Sequence, residues 1–183
     1  MELTAELRKQ LNRIDWLVET LLKISKLDAG TIELTDRPVS VRELIQKASE
    51  PIAVSMDVRD QALSVSCKEE QFRGDLSWTA EALGNILKNC MEHTPDGGKI
   101  SITAEETPLY TLIQVEDTGE GFAPEDLPHI FDRFYQGKNA SPGTFGIGLS
   151  LARCIIAKQN GTIQASNGAS GARFTIKFYK QVI

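Results

Sequence analysis

Apolar residues recur at spacings of four and three through the opening segment, at Leu3, Leu7, Leu11, Ile14, Val18 and Leu21, the period of one helix face. Leu17, Leu22 and Ile24 widen the stripe, and Gly30 suits the left-handed position that follows a helix end. A stripe this broad needs a partner, because burying each large side chain contributes roughly 1.5–3 kcal/mol. That partner is the rest of the chain or a second copy, and the charged opposite face points to a helical bundle. Thr31 to Leu34 then reads as a short strand and Arg37-Pro38 as a turn. Ser40-Val41-Arg42-Glu43 has capping-box spacing and opens a helix to about Arg59, which Pro51 kinks or restarts by removing a backbone donor.

Leu63 to Cys67 alternates as a strand, and Asp75 caps a helix that buries Leu76, Leu83, Ile86 and Leu87 and ends near Thr94. Ile100 to Glu105 and Tyr110 to Glu116 read as antiparallel strands joined through Thr107-Pro108. Leu127 to Phe134 reads as a short helical piece, Gln136 to Thr144 as a polar loop and Ile147 to Gln159 as a helix, with strands at Thr162 to Ala165 and Ala172 to Tyr179. The alternation predicts an α/β sandwich: a mixed, mainly antiparallel sheet covered on one face by helices and preceded by one long N-terminal helix.

Composition narrows the class. A chain of 183 residues, 41% hydrophobic and 25% charged, can bury a full core, so one large domain with an appendage is expected. A net charge of −5 without clustered Lys and Arg offers no surface for wrapping nucleic acid. Cys67, Cys90 and Cys154 are far apart and lack metal-site spacing, which argues for a reducing compartment and three small core residues. With no run of 18 apolar residues and no signal peptide, the chain by itself is expected to stay in the cytoplasm.

Three patterned segments carry the chemistry: Asn85-Ile86-Leu87-Lys88-Asn89, Asp117-Thr118-Gly119-Glu120-Gly121 and Gly143-Thr144-Phe145-Gly146-Ile147-Gly148-Leu149. Each alone is weak, since D-x-G-x-G is also a plain turn between strand and helix. In this order the chain from about residue 70 resembles the Bergerat-type ATPases: sensor histidine kinases, type II topoisomerases and mismatch-repair ATPases. Phe131-Asp132-Arg133-Phe134-Tyr135 resembles the phenylalanine-rich box of the histidine kinases. Leu21-Leu22-Lys23-Ile24-Ser25-Lys26-Leu27-Asp28-Ala29-Gly30 resembles the end of the second helix of their dimerisation domain.

The resemblance implies two parts, residues 1–30 from that dimerisation and phosphoacceptor domain and residues 31–183 as the catalytic ATP-binding domain. It implies ATP and Mg2+ as cofactors, Asp117 as acceptor for the adenine amine with Gly119 and Gly121 beside the base, and Asn89 as the magnesium ligand. Thr144, Gly146, Gly148 and Leu149 would form the phosphate loop at a helix N-terminus. Arg133 would balance phosphate charge or hold the lid, which is the polar loop Gln136 to Thr144, with Lys138 as a compensating cation of that lid. Asn85 stands where hydrolysing relatives have a Glu base; an amide cannot take a proton near neutral pH, which favours transfer over hydrolysis. Three departures are Glu92, where Lys or Arg is usual, Gln136 in place of the common final Arg of the phenylalanine-rich box, and Thr144 in the first glycine's place with Gly143 one residue early.

Neither His93 nor His129 has the context of a phosphoacceptor. The implied partners are therefore ATP, an acceptor-His helix of the same full-length kinase and a response regulator receiver domain, with a homodimer through the N-terminal helix as one way to bury it. Membrane attachment would come only through segments upstream. The competing reading is an ATP-binding regulatory module, anti-sigma-like or degenerate, that transfers nothing.

Overall fold

The computed structural model describes residues 2–140 and 145–181. Helix α1, Glu2–Asp28, runs ahead of a body built on a five-stranded sheet. The body opens with β1 (Arg37–Ser40), α2 (Val41–Ser49), a 3-10 turn at Glu50–Ile52 and α3 (Ala53–Val58). Strands β2 (Ala62–Ser66) and β3 (Gln71–Gly74) lead to α4 (Leu76–His93), then β4 (Lys99–Glu106) and β5 (Tyr110–Asp117). Helix α5 (Gly148–Ala157) and strands β6 (Gly161–Asn167) and β7 (Ala172–Tyr179) close the chain.

The sheet order is β2-β4-β5-β7-β6, with β2 parallel to β4 and the other pairs antiparallel. Period-two alternation decides which face packs. Ala104, Ile113, Ile176 and Ile163 lie opposite one another across four strands, and Ile102, Val115, Phe174 and Ala165 form the next row. Helices α2, α4 and α5 supply Leu44, Leu83, Ile86, Leu87, Leu151 and Ile155 to the same core. The predicted architecture therefore stands.

Three local expectations do not. Thr31 to Leu34 is not a strand; the strand is Arg37–Ser40, across the expected turn, paired with β3 in a separate two-stranded ribbon. Leu127 to Phe134 forms only a 3-10 turn at Leu127–His129, and the backbone of Phe134 turns left-handed at φ 65°, which ends any helix. The α1 stripe also divides. Thr20, Ile24 and Leu27 are buried and Trp16, Leu17 and Leu21 pack against the core, whereas Leu3, Leu7, Leu11, Ile14, Val18 and Leu22 are at least half exposed.

Candidate functional site

Asp75 caps α4 by accepting from the Trp78 amide at 3.0 Å, and its second oxygen accepts from the Thr35 amide and hydroxyl. Burial pushes the Asp75 carboxyl up, but these hydrogen bonds together outweigh it and hold the pKa below the usual carboxylate value. The helix so started buries Ala82, Leu83, Ile86, Leu87 and Cys90. Its other face presents Asn85, Lys88, Asn89 and Glu92 at helical spacings of three and four, and these line a cleft. Gly121, Phe122, Ala123 and Ala172 contribute from the sheet end, Tyr135, Gln136, Gly137 and Asn139 from the following segment, and Phe145, Gly146, Gly148 and Leu149 from the entry to α5.

Asp117 occupies the inward position of β5 after Thr111, Ile113 and Val115, opposite Ile100. It is a carboxylate on the core face, 3% exposed. Its Oδ1 accepts from the backbone amides of Gly119 at 2.9 Å and Ala172 at 3.0 Å. Its Oδ2 is buried and, among the described residues, accepts no hydrogen bond from an N–H or O–H donor. The neighbouring Cys90 thiol is pushed well up, by burial first, by the Asp117 charge second and by a hydrogen bond to that carboxylate third; it stays protonated, and a thiol is a weak donor that satisfies a carboxylate poorly. A buried carboxylate oxygen without a partner is costly and marks a place where a donor is missing.

The backbone closes tightly on that carboxylate. A Cβ at Gly119 would stand 2.4 Å from the His93 carbonyl oxygen, and one at Gly171 would stand 2.4 Å from both Oδ1 and the carbonyl oxygen of Asp117. Gly119 thus makes room for the end of α4, and it lines a shallower groove beside the cleft. At the other end Gly146 has φ 69° and its Cβ would lie 2.1 Å from the Tyr135 carbonyl oxygen, so the glycine loop and the phenylalanine-rich segment press together; the Phe134 amide donates to the Gly146 carbonyl at 2.9 Å. Asn85 joins the same end, its Nδ2 donating to the Gly148 carbonyl at 3.2 Å. Asn89 lines the cleft and makes no hydrogen bond within the described residues.

Asp126 ties down the segment that follows β5. It accepts from the Tyr135 hydroxyl at 2.6 Å and from the Lys138 amide at 3.2 Å. The hydrogen bond to Asp126 pushes the Tyr135 pKa up.

The structure therefore brings Asn85, Asn89, Gly121, Gly146, Gly148 and Leu149 together, whereas Asp117, buried against Ala172, does not itself line the cleft. Thr144, with Gly143, lies outside the described residues. Arg133 does not line the cleft: its guanidinium donates to the Asp28 carboxylate of α1 at 2.6 Å, with both side chains about half exposed. Lys138 pairs with Glu125. Among the described residues the one Lys or Arg lining the cleft is Lys88, one turn from Asn85 and readable from that spacing, though sequence reasoning passed over it. Trp16 of α1 also lines the cleft, with Lys88 Nζ 5.1 Å from its ring centroid. No sequence pattern announces that α1 folds back this far.

The family model for histidine kinase-, DNA gyrase B- and HSP90-like ATPases matches residues 74–182. Sensor protein SrrB of Staphylococcus aureus is 31% identical over 180 residues, a match that covers 94% of this chain and 30% of the relative. The chain thus spans about a third of the length of the curated relatives it matches. Among solved structures, Acinetobacter baumannii histidine kinase AdeS superposes with a TM-score of 0.83 at 24% identity, covering 98% of this chain and 84% of that one. Histidine kinase ThkA, solved in complex with response regulator protein TrrA, superposes with a TM-score of 0.75 at 23% identity over 95% of this chain and 49% of that one. No helix among the described residues is long and apolar enough to cross a membrane.

Proposed function

The chain belongs to the histidine kinase-, DNA gyrase B- and HSP90-like ATPase family, and from that premise we propose that it is the ATP-binding, phosphoryl-donating part of a sensor histidine kinase with the second dimerisation helix, residues 1–30, ahead of the catalytic domain, residues 31–183. The observation that carries the reading is the Asp117 carboxylate: one oxygen is fixed by two backbone amides, and the other is buried without an N–H or O–H donor among the described residues, behind Ala172, which lines the cleft where Asp117 itself does not. An exocyclic adenine amine is the donor that would satisfy it.

The phosphates then lie toward the N-terminus of α5, where the amides after Gly146 and Gly148 favour anions. Asn89, whose amide has no partner in the described residues, would hold magnesium, which needs only one or two protein oxygens beside phosphate and water. The ion would neutralise charge on the phosphate oxygens. Asn85 is committed to the Gly148 carbonyl and has no basic atom with which to activate water. Transfer breaks the bond between the γ-phosphorus and its bridging oxygen, leaves ADP, and forms a phosphorus–nitrogen bond to a histidine imidazole. We assign that histidine to the dimerisation domain outside residues 1–30, and the receiver domain of a response regulator as the next acceptor, supported by the complex that ThkA makes with TrrA.

Purified chain is mixed with Mg-ATP and a fragment bearing the acceptor helix. Acid-labile phosphate on that fragment supports transfer. Nucleotide binding without it favours the regulatory module, a reading that Glu92 in the cleft wall also suits.

A further inference from the structure

The cleft reaches a phosphorylated ligand with a single described cation. Arg133 and Lys138, the charges that the resemblance assigns to phosphate and lid, are engaged with Asp28 and Glu125. Lys88 lines the cleft, is exposed, and has no carboxylate within ion-pair distance, although Glu92 stands one turn away on the same helix. Its ammonium lies instead over the Trp16 ring, 5.1 Å from the centroid. An aromatic face attracts and orients a cation without neutralising it, so the full positive charge remains available beside Asn85 and Asn89. Trp16 is itself held in place. Leu17, Leu21, Ile24 and Leu27 pack α1 against the core, and Lys23 pairs with Glu81 of α4 at 2.7 Å. The indole also closes on the phosphate end of the cleft: a Cβ at Gly148 would stand 4.0 Å from it and 3.8 Å from the Asn85 amide carbon.

We propose that Lys88 meets the terminal phosphates of the bound nucleotide and that Trp16, a positioning residue supplied by α1, presents it to them. The inference rests on the ATP-binding reading and adds to it a cation inside the Asn85–Asn89 segment to which the resemblance assigns no role. It also makes preference for a triphosphate depend on α1 being docked. In a monophosphate the distal phosphates are missing, so the contribution of Lys88 disappears while the Asp117 end binds as before.

The test uses the whole chain, titrated calorimetrically with ATP and with AMP, magnesium in excess. Lys88→Met should weaken ATP on the order of 10- to 100-fold, the scale of a charge-assisted contact, and leave AMP within about twofold. Lys88→Arg should recover most of the loss. Trp16→Leu should weaken ATP about 2- to 5-fold with AMP unchanged, the scale of an exposed cation–π contact, and Trp16→Phe should restore it. Added to Lys88→Met, the Trp16→Leu change should cost nothing further, because its effect passes through the lysine. Unchanged ATP affinity in Lys88→Met, or equal losses for ATP and AMP, overturns the assignment. A multiplicative loss in the double variant overturns the positioning role of Trp16. If the unaltered chain binds neither nucleotide, the ATP-binding reading fails as well; if it binds ATP and Lys88→Met matches it, only this inference fails.

Discussion

The surroundings of Asp117 and those of Arg133 and Lys138 are held by opposite kinds of contact. Around Asp117 the partners are backbone amides, buried and short, with glycines at Gly119 and Gly171 because nothing larger fits. Around Arg133 and Lys138 the partners are carboxylates at the tips of exposed side chains. Backbone donors are placed by the sheet register and lose little entropy on ligand binding. Exposed ion pairs are screened and contribute roughly 0–1 kcal/mol. Selectivity for the base should therefore be rigid and costly to disturb, and the charged rim should be adaptable.

The largest expected effect is at Asp117. Asp117→Asn places a donor where one oxygen now stands, against either a backbone amide or the ligand amine. ATP affinity should fall by about 1–3 kcal/mol, and folding stability by a similar amount, because two buried amides lose a charged acceptor. Titration and denaturant unfolding read the two separately. Unchanged affinity would remove the adenine assignment and with it the contrast between the two regions.

A matched pair of glycines comes next. Gly171→Ala drives a Cβ into backbone and carboxylate at 2.4 Å, so the strand start must shift, and overpacking of this kind costs about 1–3 kcal/mol. Gly137→Ala meets the Asp126 side chain and no backbone, its Oδ2 at 2.7 Å, so that carboxylate must shift and loosen its hydrogen bond from the Lys138 amide. The cost should be under about 1 kcal/mol. Equal losses in thermal unfolding would show that the two regions are equally stiff.

The same contrast explains what the sequence disclosed. Asp117 was legible from the D-x-G-x-G motif in its order with the other two segments, and the structure adds that this acid stands at the inward position of β5 after Thr111, Ile113 and Val115, a conflict that a hydrogen-bond cradle resolves. Asn85 and Asn89 were legible from helix periodicity and the motif order. Strand β3 was not, since its four residues pair only with β1 and the Glu106 side chain takes its first amide. Pro38 looked like a turn, yet a two-stranded ribbon has free edges where a missing donor is tolerated. The apolar spacing of Leu127, Ile130, Phe131 and Phe134 suggested a helix, but Phe131 instead packs edge-on against Phe174 at 6.4 Å and the chain reverses at Phe134. The partner of Arg133 lies 105 residues away, and long exposed side chains carry no periodic signature.

Tyr135 sharpens the comparison through pH. Its hydroxyl donates to Asp126, which raises its pKa above the ordinary tyrosine value. The group is an acid that binds its proton more tightly when folded, so its contribution is fully present below the unfolded pKa of about 10 and is lost as pH rises through the higher folded value. Thermal unfolding of the chain and of Tyr135→Phe should differ modestly near neutral pH and converge in strong alkali. A difference that grew with pH would contradict the direction of the shift.

The smallest expected effect is at Arg133, and it decides whether the rim is a charged reserve or part of the site. Asp28 pushes the guanidinium pKa further up by its hydrogen bond, but both partners are about half exposed, so Arg133→Gln should cost only about 0.2–1 kcal/mol of stability, less at high salt. With the side chain directed at α1, ATP affinity should stay within about twofold of the unaltered chain. Asp28→Asn supplies the opposite test, because it keeps the arginine and removes its hold. If Arg133 acts only at the α1 contact, the two variants lose the same stability and neither changes ATP binding. If the arginine reaches the phosphates once freed, Asp28→Asn binds ATP more tightly and Arg133→Gln added to it cancels the gain. That outcome would place Arg133 at the phosphates when α1 lets go, as the phenylalanine-rich box implies, and would make the Asp28 pair the contact that withholds it.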